Sequence, residues 1–217
     1  MSNNGTGSTS RTTARRRRRY QANTPSIGDQ RRELVLDNFE TLLTRKPVAE
    51  VSMEAIAAAA SLSRTSVYFY FASKADALEA LIGRASDEMR SNMNGRVEGE
   101  SLHAFVTRII EATVEGWRRH QPIFAAAIEL SSHQGHDALR WRSVMQDFAQ
   151  NLADGLRLGS EEIPADVALQ RGEIICWMVE RNFYFLFISE HSAEDERNLV
   201  DGLISASYAV LVAPLSA

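Results

Sequence analysis

The chain has 217 residues, 44% of them hydrophobic and 24% charged, with a formal net charge of −4 and one cysteine, Cys176. This length can bury a sizeable core as one or two domains, and the composition is ordinary for a globular protein. A lone cysteine excludes an internal disulfide and no apolar run reaches the roughly 18 residues of a membrane span, so a reducing, cytoplasmic setting is expected.

The net charge hides an asymmetry: residues 1–74 carry +6 and residues 75–217 carry −10. A cationic end on an anionic body suits a nucleic-acid partner, because Lys and Arg displace condensed counterions from phosphates. Residues 1–25 are polar and hold Arg11 and the unbroken run Arg15, Arg16, Arg17, Arg18 and Arg19. Such a composition predicts a disordered basic arm that lies along phosphates or enters a narrow minor groove, with a solvated tail as the alternative. No apolar stretch follows the arginines, so an export signal is not expected.

Residues 27–44 have Leu34, Val35, Asn38, Phe39, Leu42 and Leu43 on one stripe, which predicts a helix capped by Asp29. Two short helices follow. Ser52 can cap the first, whose Met53, Ile56, Ala57 and Ala60 recur at helical spacing. After a turn at Ser61 and Leu62, Ser63 can cap the second, Arg64 to Tyr70, with Val67 and Phe71 on one side and Arg64, Thr65, Ser66 and Tyr68 on the other. Small alanines let two helices cross closely, the arrangement of a helix-turn-helix reader over residues 26–74. Arg64 lies in the first turn of the reading helix, where a planar guanidinium can reach guanine. Thr65 and Ser66 can touch bases or phosphates, and Ser63 either caps or contacts DNA.

Residues 75–92, capped by Ser73, continue as a helix with Ala77, Leu78, Leu81, Ile82 and Ala85 inward, joining reader to body as a lever. Further helices are predicted over 101–120, from Pro122 to about 133, and over 137–158, 164–189 and 193–212. Ser192 with Asp195 caps the last of them. The fold class is all-α.

The segment 52–81 resembles the tetracycline-repressor (TetR) family of bacterial transcription regulators. Ser52, the run Ile56 to Ala60, the turn Ser61-Leu62, Ser63, the aromatic run Tyr68 to Phe71 and Lys74 match its pattern in order. Ser61 stands where the family has Gly, a departure costing roughly 1 kcal/mol in a left-handed turn. The resemblance implies a three-helix DNA-binding domain followed by a ligand-binding and dimerisation domain over 75–217, bound to double-stranded operator DNA. It also implies that Tyr68, Tyr70 and Lys74 contact phosphates.

Phe105, Ile109, Thr113 and Trp117, and likewise Trp141, Met145, Phe148 and Leu152, recur at helical spacing. Such stripes form a core, or line an apolar cavity to which Phe124 would also contribute. Residues 177–183 are similar to the penultimate helix of ethionamide-resistance-repressor-like members. There Val179 replaces a polar residue, Phe183 or Tyr184 would close a wall, and Asn182 would orient a ligand or pair with backbone. Glu180 and Arg181 read as ion-pair formers. Apolar residues on several sides of the last two helices, including Ile174, Ile175, Phe185, Leu203, Ile204 and Leu211, predict a homodimer.

No catalytic or phosphate-binding motif is present, and the pair His133 and His136 reads as loop histidines, so neither enzyme activity nor a cofactor or metal is expected. The expected protein is a dimeric, nucleoid-associated repressor released by a small lipophilic effector. A regulator without an effector, or a helical carrier of lipophilic molecules, remains as an alternative.

Overall fold

The computed structural model describes residues 26–131, 136–158 and 163–214; the expected arm, with Arg15 to Arg19, and His133 lie outside them. Within them stand eight α-helices: α1 (Ile27–Leu43), α2 (Met53–Ala59), α3 (Arg64–Tyr70), α4 (Lys74–Asn92), α5 (Leu102–Ser131), α6 (His136–Arg157), α7 (Ala165–Phe187) and α8 (Ala193–Val212). A 3-10 turn, Val48–Glu50, joins α1 to α2, and no strand occurs among the described residues.

Serine caps set most helix starts, each hydroxyl accepting from the amide three residues on. Ser52, Ser63 and Ser73 cap α2, α3 and α4 in this way. Ser192 and Asp195 form a reciprocal capping box on α8. On α1 the cap is Ser26 rather than Asp29: Ser26 Oγ accepts from Asp29 N, and Asp29 Oδ2 accepts from Ser26 N, both at 3.0 Å. Asp29 is therefore the carboxylate of the box and not its cap. The buried stripe of α1 is Val35, Leu36, Phe39 and Leu43, so Leu36 replaces Leu34, which faces solvent.

The turn between α2 and α3 puts Ser61 at φ 54°, the left-handed conformation expected there. Its neighbour Leu62 closes the turn by donating to Ala57 O at 3.0 Å. Ala57 and Ala60 are buried, and Val67 and Phe71 anchor the short α3 to the core.

Helix α5 carries the expected break: His120 (φ −120°, ψ 21°) leaves helical geometry, so the element is two helical stretches joined at a kink, with Pro122 in the first turn of the second. Proline has no N–H to donate and its ring crowds the carbonyl four residues back, so the strain appears as a kink before it. Helix α5 packs on α4, α6, α7 and α8, and α6 lies most extensively along α7. Gly172 permits that approach, since a Cβ there would sit 2.4 Å from Ala149 O. The end of α8 is tied back to α7 by Arg171, which donates to Leu211 O at 2.6 Å and Ala213 O at 2.5 Å. One apolar cluster runs from α1 through α4 into the body.

Candidate DNA-binding surface and body cavity

With Val67 turned into the core, α3 presents Arg64, Thr65, Tyr68 and Phe69 outward, and Phe69 is 81% exposed. Ser63 Oγ accepts from Ser66 N at 3.1 Å and lies 2.8 Å from Ser66 Oγ, so both hydroxyls serve the helix start. Arg64 pairs with Glu54 Oε1 at 2.8 Å, and its guanidinium lies 5.4 Å from the Tyr68 ring centroid. Both partners hold it extended along the exposed face. Tyr70 is half-buried and meets Phe69 edge to face at 5.2 Å. Lys74 faces inward: its Nζ donates to Val48 O at 2.7 Å, tying the 3-10 turn to the start of α4. Burial lowers the pKa of that ammonium. A phosphate would have to share it with the backbone.

Polar contacts join the reader to the body. Arg84 of α4 pairs with Glu33 at 3.1 Å and with Asp37 and Glu40 at 2.7 Å each, all on α1. His120, at the kink of α5, contacts Glu40 of α1 and Glu88 of α4, and Glu88 also pairs with Arg119. Hydrogen bonding to Glu40, then the charges of both carboxylates, holds the imidazole pKa above its ordinary value against the opposing effect of burial.

The body encloses a cavity of about 60 Å³. Nine of the predicted cavity residues line it: Ile109, Thr113, Trp117, Phe124, Trp141, Met145, Phe148, Leu152 and Val179. Phe124 lies 5.4 Å from Trp117 and 6.0 Å from Trp141 between ring centroids, giving a continuous aromatic wall. Four predicted residues stand elsewhere. Phe105 is buried against Gly155, where a Cβ would meet its ring at 2.3 Å. Asn182 is exposed and donates to Met178 O at 2.8 Å, the backbone alternative. Phe183 is buried behind the wall, 6.5 Å from the Trp117 ring, and Tyr184 packs beneath the Arg181 guanidinium.

The cavity also uses residues that sequence reasoning missed: Met89 and Met93 of α4 or its end, Ile110, Asn151, Ile175, Cys176 and Glu180. Burial pushes the Cys176 thiol up to about 12, consistent with an inert thiol. Glu180 is 4% exposed; its Oε2 forms the expected ion pair with Arg181 Nε at 3.6 Å, and its Oε1 accepts from Trp141 Nε1 at 3.2 Å. Burial raises its pKa, opposed by Trp141 and by Arg181. The signal for it was present in Val179-Glu180, which follow Ile175-Cys176 at a spacing of four on one face of α7.

The expected dimer face is also redrawn. Ile175, Leu203, Ile204 and Leu211 are spent in the protomer's own core, leaving Ile174, Trp177, Phe185, Ile188 and Val212 exposed.

Residues 36–81 match the model of bacterial regulatory proteins of the tetR family. The chain is 25% identical over 184 residues to the HTH-type transcriptional regulator EthR of Mycobacterium tuberculosis, covering 82% of this chain and 85% of that protein. It is 36% identical over 123 residues to EthR of Mycolicibacterium smegmatis, covering 56% and 57%. A tetR-family transcriptional regulator from Streptomyces coelicolor has the same fold, with a TM-score of 0.68 and 22% identity over 83% of this chain and 80% of that one. The turn and the exposed short helix thus lie in a segment that matches the tetR family, and the chain as a whole is similar to EthR and shares the fold of a tetR-family regulator.

Proposed function

We propose that the protein is a repressor that binds a pseudo-palindromic operator as a two-fold dimer and is released by a small lipophilic effector. In this reading residues 1–25 are a DNA-contacting arm, 26–74 the reader, and 75–217 the effector-binding and dimerisation domain. The supporting observation is that Met89 and Met93, which line the cavity, belong to or adjoin α4, the helix that begins beside the reading helix. A molecule entering the cavity would press on the helix that directly follows α3 in the chain. Methionines are suited to yielding, since their unbranched side chains repack at low cost. Dimerisation through exposed Ile174, Trp177, Phe185 and Ile188 would set two reading helices about one DNA turn, ~34 Å, apart.

The test is to capture fragmented genomic DNA with the full chain at moderate salt, sequence what binds, and use the recovered palindrome as a probe for release by lipophilic compounds. A 100-fold release requires about 2.7 kcal/mol of coupling between effector and DNA. A compound that stabilises the protein thermally without releasing DNA would refute induction. One observation favours a second reading, a regulator of the same fold without an effector: about 60 Å³ holds only a few waters, so any larger molecule must move the walls.

A further inference from the structure

The cavity wall is apolar except at a few groups, Thr113, Asn151, Trp141 and Glu180 among them. Thr113 Oγ1 donates to Ile109 O at 2.7 Å, Asn151 Nδ2 to Met93 O at 3.4 Å, and Trp141 Nε1 to Glu180 Oε1 at 3.2 Å. Glu180 is the one charged side chain lining the cavity, and its Oε2 is buried with no hydrogen-bond partner. The Arg181 Nε forms an ion pair with that oxygen at 3.6 Å, beyond hydrogen-bonding distance, and its guanidinium is half exposed over Tyr184 and Phe185. A buried carboxylate oxygen left without a donor is costly, and a ligand that brings an N–H donor with positive charge removes that cost. Aromatic faces add to this preference, because their quadrupoles attract cations.

The geometry points to a cationic effector: a lipophilic amine whose ammonium donates to Glu180 Oε2 while its apolar part lies among Trp117, Phe124 and Trp141. This rests on the cavity being the effector site. If Glu180 holds a proton in the empty cavity, transfer of that proton to the free amine gives the same carboxylate and ammonium pair. Such a ligand differs from a neutral lipid in what it leaves satisfied, since a neutral chain would fill the space and leave Oε2 without a hydrogen bond.

The experiment compares 4-phenylbutylamine with 4-phenylbutan-1-ol, which share a carbon skeleton, by titration calorimetry on the full chain at pH 7. The amine is expected to bind about tenfold more tightly, the scale of a charged hydrogen bond, and Glu180→Gln to abolish the difference. Equal binding of both, or tighter binding of the alcohol, overturns the cationic assignment and leaves the cavity as a neutral effector site. A preference that survives Glu180→Gln unchanged also overturns it, since attraction to the acidic body would then be the cause. Binding of neither compound overturns the cationic assignment, while the effector reading is decided separately by release of the operator probe with neutral lipophilic compounds. Should Glu180→Gln fail to fold, proton NMR contacts between the amine-bearing methylene and the Trp141 indole in the unaltered protein decide the matter: their presence supports the pairing and their absence overturns it.

Discussion

His120 Nδ1 lies 3.4 Å from Glu40 Oε1, so the residue at which α5 kinks touches the first helix of the reader. Its other nitrogen, Nε2, lies 3.1 Å from Glu88 Oε2 on α4. Three helices therefore meet on one imidazole, which is 8% exposed.

That junction predicts a pH dependence. The groups facing the imidazole and its carboxylates are Glu40, Glu88, Arg84 and Arg119. His120 has a raised pKa in the folded state, so its contribution to stability is full below the ordinary histidine value near 6.5 and is lost as pH rises through the raised value. Glu40, lowered first by its hydrogen bond to His120 and further by Arg84, contributes above the ordinary carboxylate range and loses that contribution as pH falls through its lowered value. Urea midpoints should pass through a maximum between these windows. His120→Gln should flatten the alkaline side of the profile, and an unchanged slope there would refute the linkage.

Arg64 is expected to read sequence. Arg64→Ala should cost about 1–3 kcal/mol on the preferred operator and relax the preference at one position of each half-site. Glu54 competes for the same guanidinium at 2.8 Å, so Glu54→Gln should tighten binding to all DNA by removing both the pair and a negative charge beside phosphate. Fluorescence anisotropy on an operator and its single-base variants separates these effects.

The reader itself is electrically balanced: residues 26–74 hold six basic and six acidic residues, so the positive charge of the first third of the chain resides in residues 1–25. Deleting those residues should lower the slope of log K against log salt by about 0.9 for each phosphate that the arm neutralises. The preference for operator over random sequence should largely survive the deletion.

Ser61 holds a left-handed backbone conformation without being glycine. Ser61→Gly should raise stability by up to about 1 kcal/mol, relief of the strain being partly offset by greater freedom in the unfolded chain. Thermal or urea unfolding reads the sign directly.

Gly172 is where α7 lies against the backbone of α6. Gly172→Ala should destabilise by about 1–3 kcal/mol, because the obstacle is a carbonyl oxygen rather than a flexible side chain. A variant of undiminished stability in urea would show that the two helices can part without cost.

Local chemistry was the most legible part of the sequence. Ser52, Ser63, Ser73 and Ser192 announce helix starts because a cap depends on four consecutive residues, and the left-handed turn at Ser61 is equally local. Ser26 escaped because a capping box holds two side chains that can each read as the cap, and Asp29 was the more conspicuous. Cavity residues within one helical stripe, such as Trp141, Met145 and Phe148, follow from periodicity. Met89 and Met93 do not, since their part in the wall depends on which helix lies opposite, whereas Glu180 shares the spacing of Ile175, Cys176 and Val179. Phe105 has the right spacing but lies beneath Gly155, a neighbour fifty residues away that no pattern reveals.

Helix α4 is a lever arm of known length. At a rise of about 1.5 Å per residue, Met89 at the cavity and Lys74 beside the reading helix are about 22 Å apart. A tilt of roughly 5° pivoting near Met89 therefore displaces the far end by about 2 Å. In a two-fold pair the displacement counts twice, so the span between reading helices changes by about 4 Å, enough to put one of them out of step with its groove while the other stays seated. On the proposed mechanism, a cavity that barely opens would be geared in this way to a large mismatch on DNA.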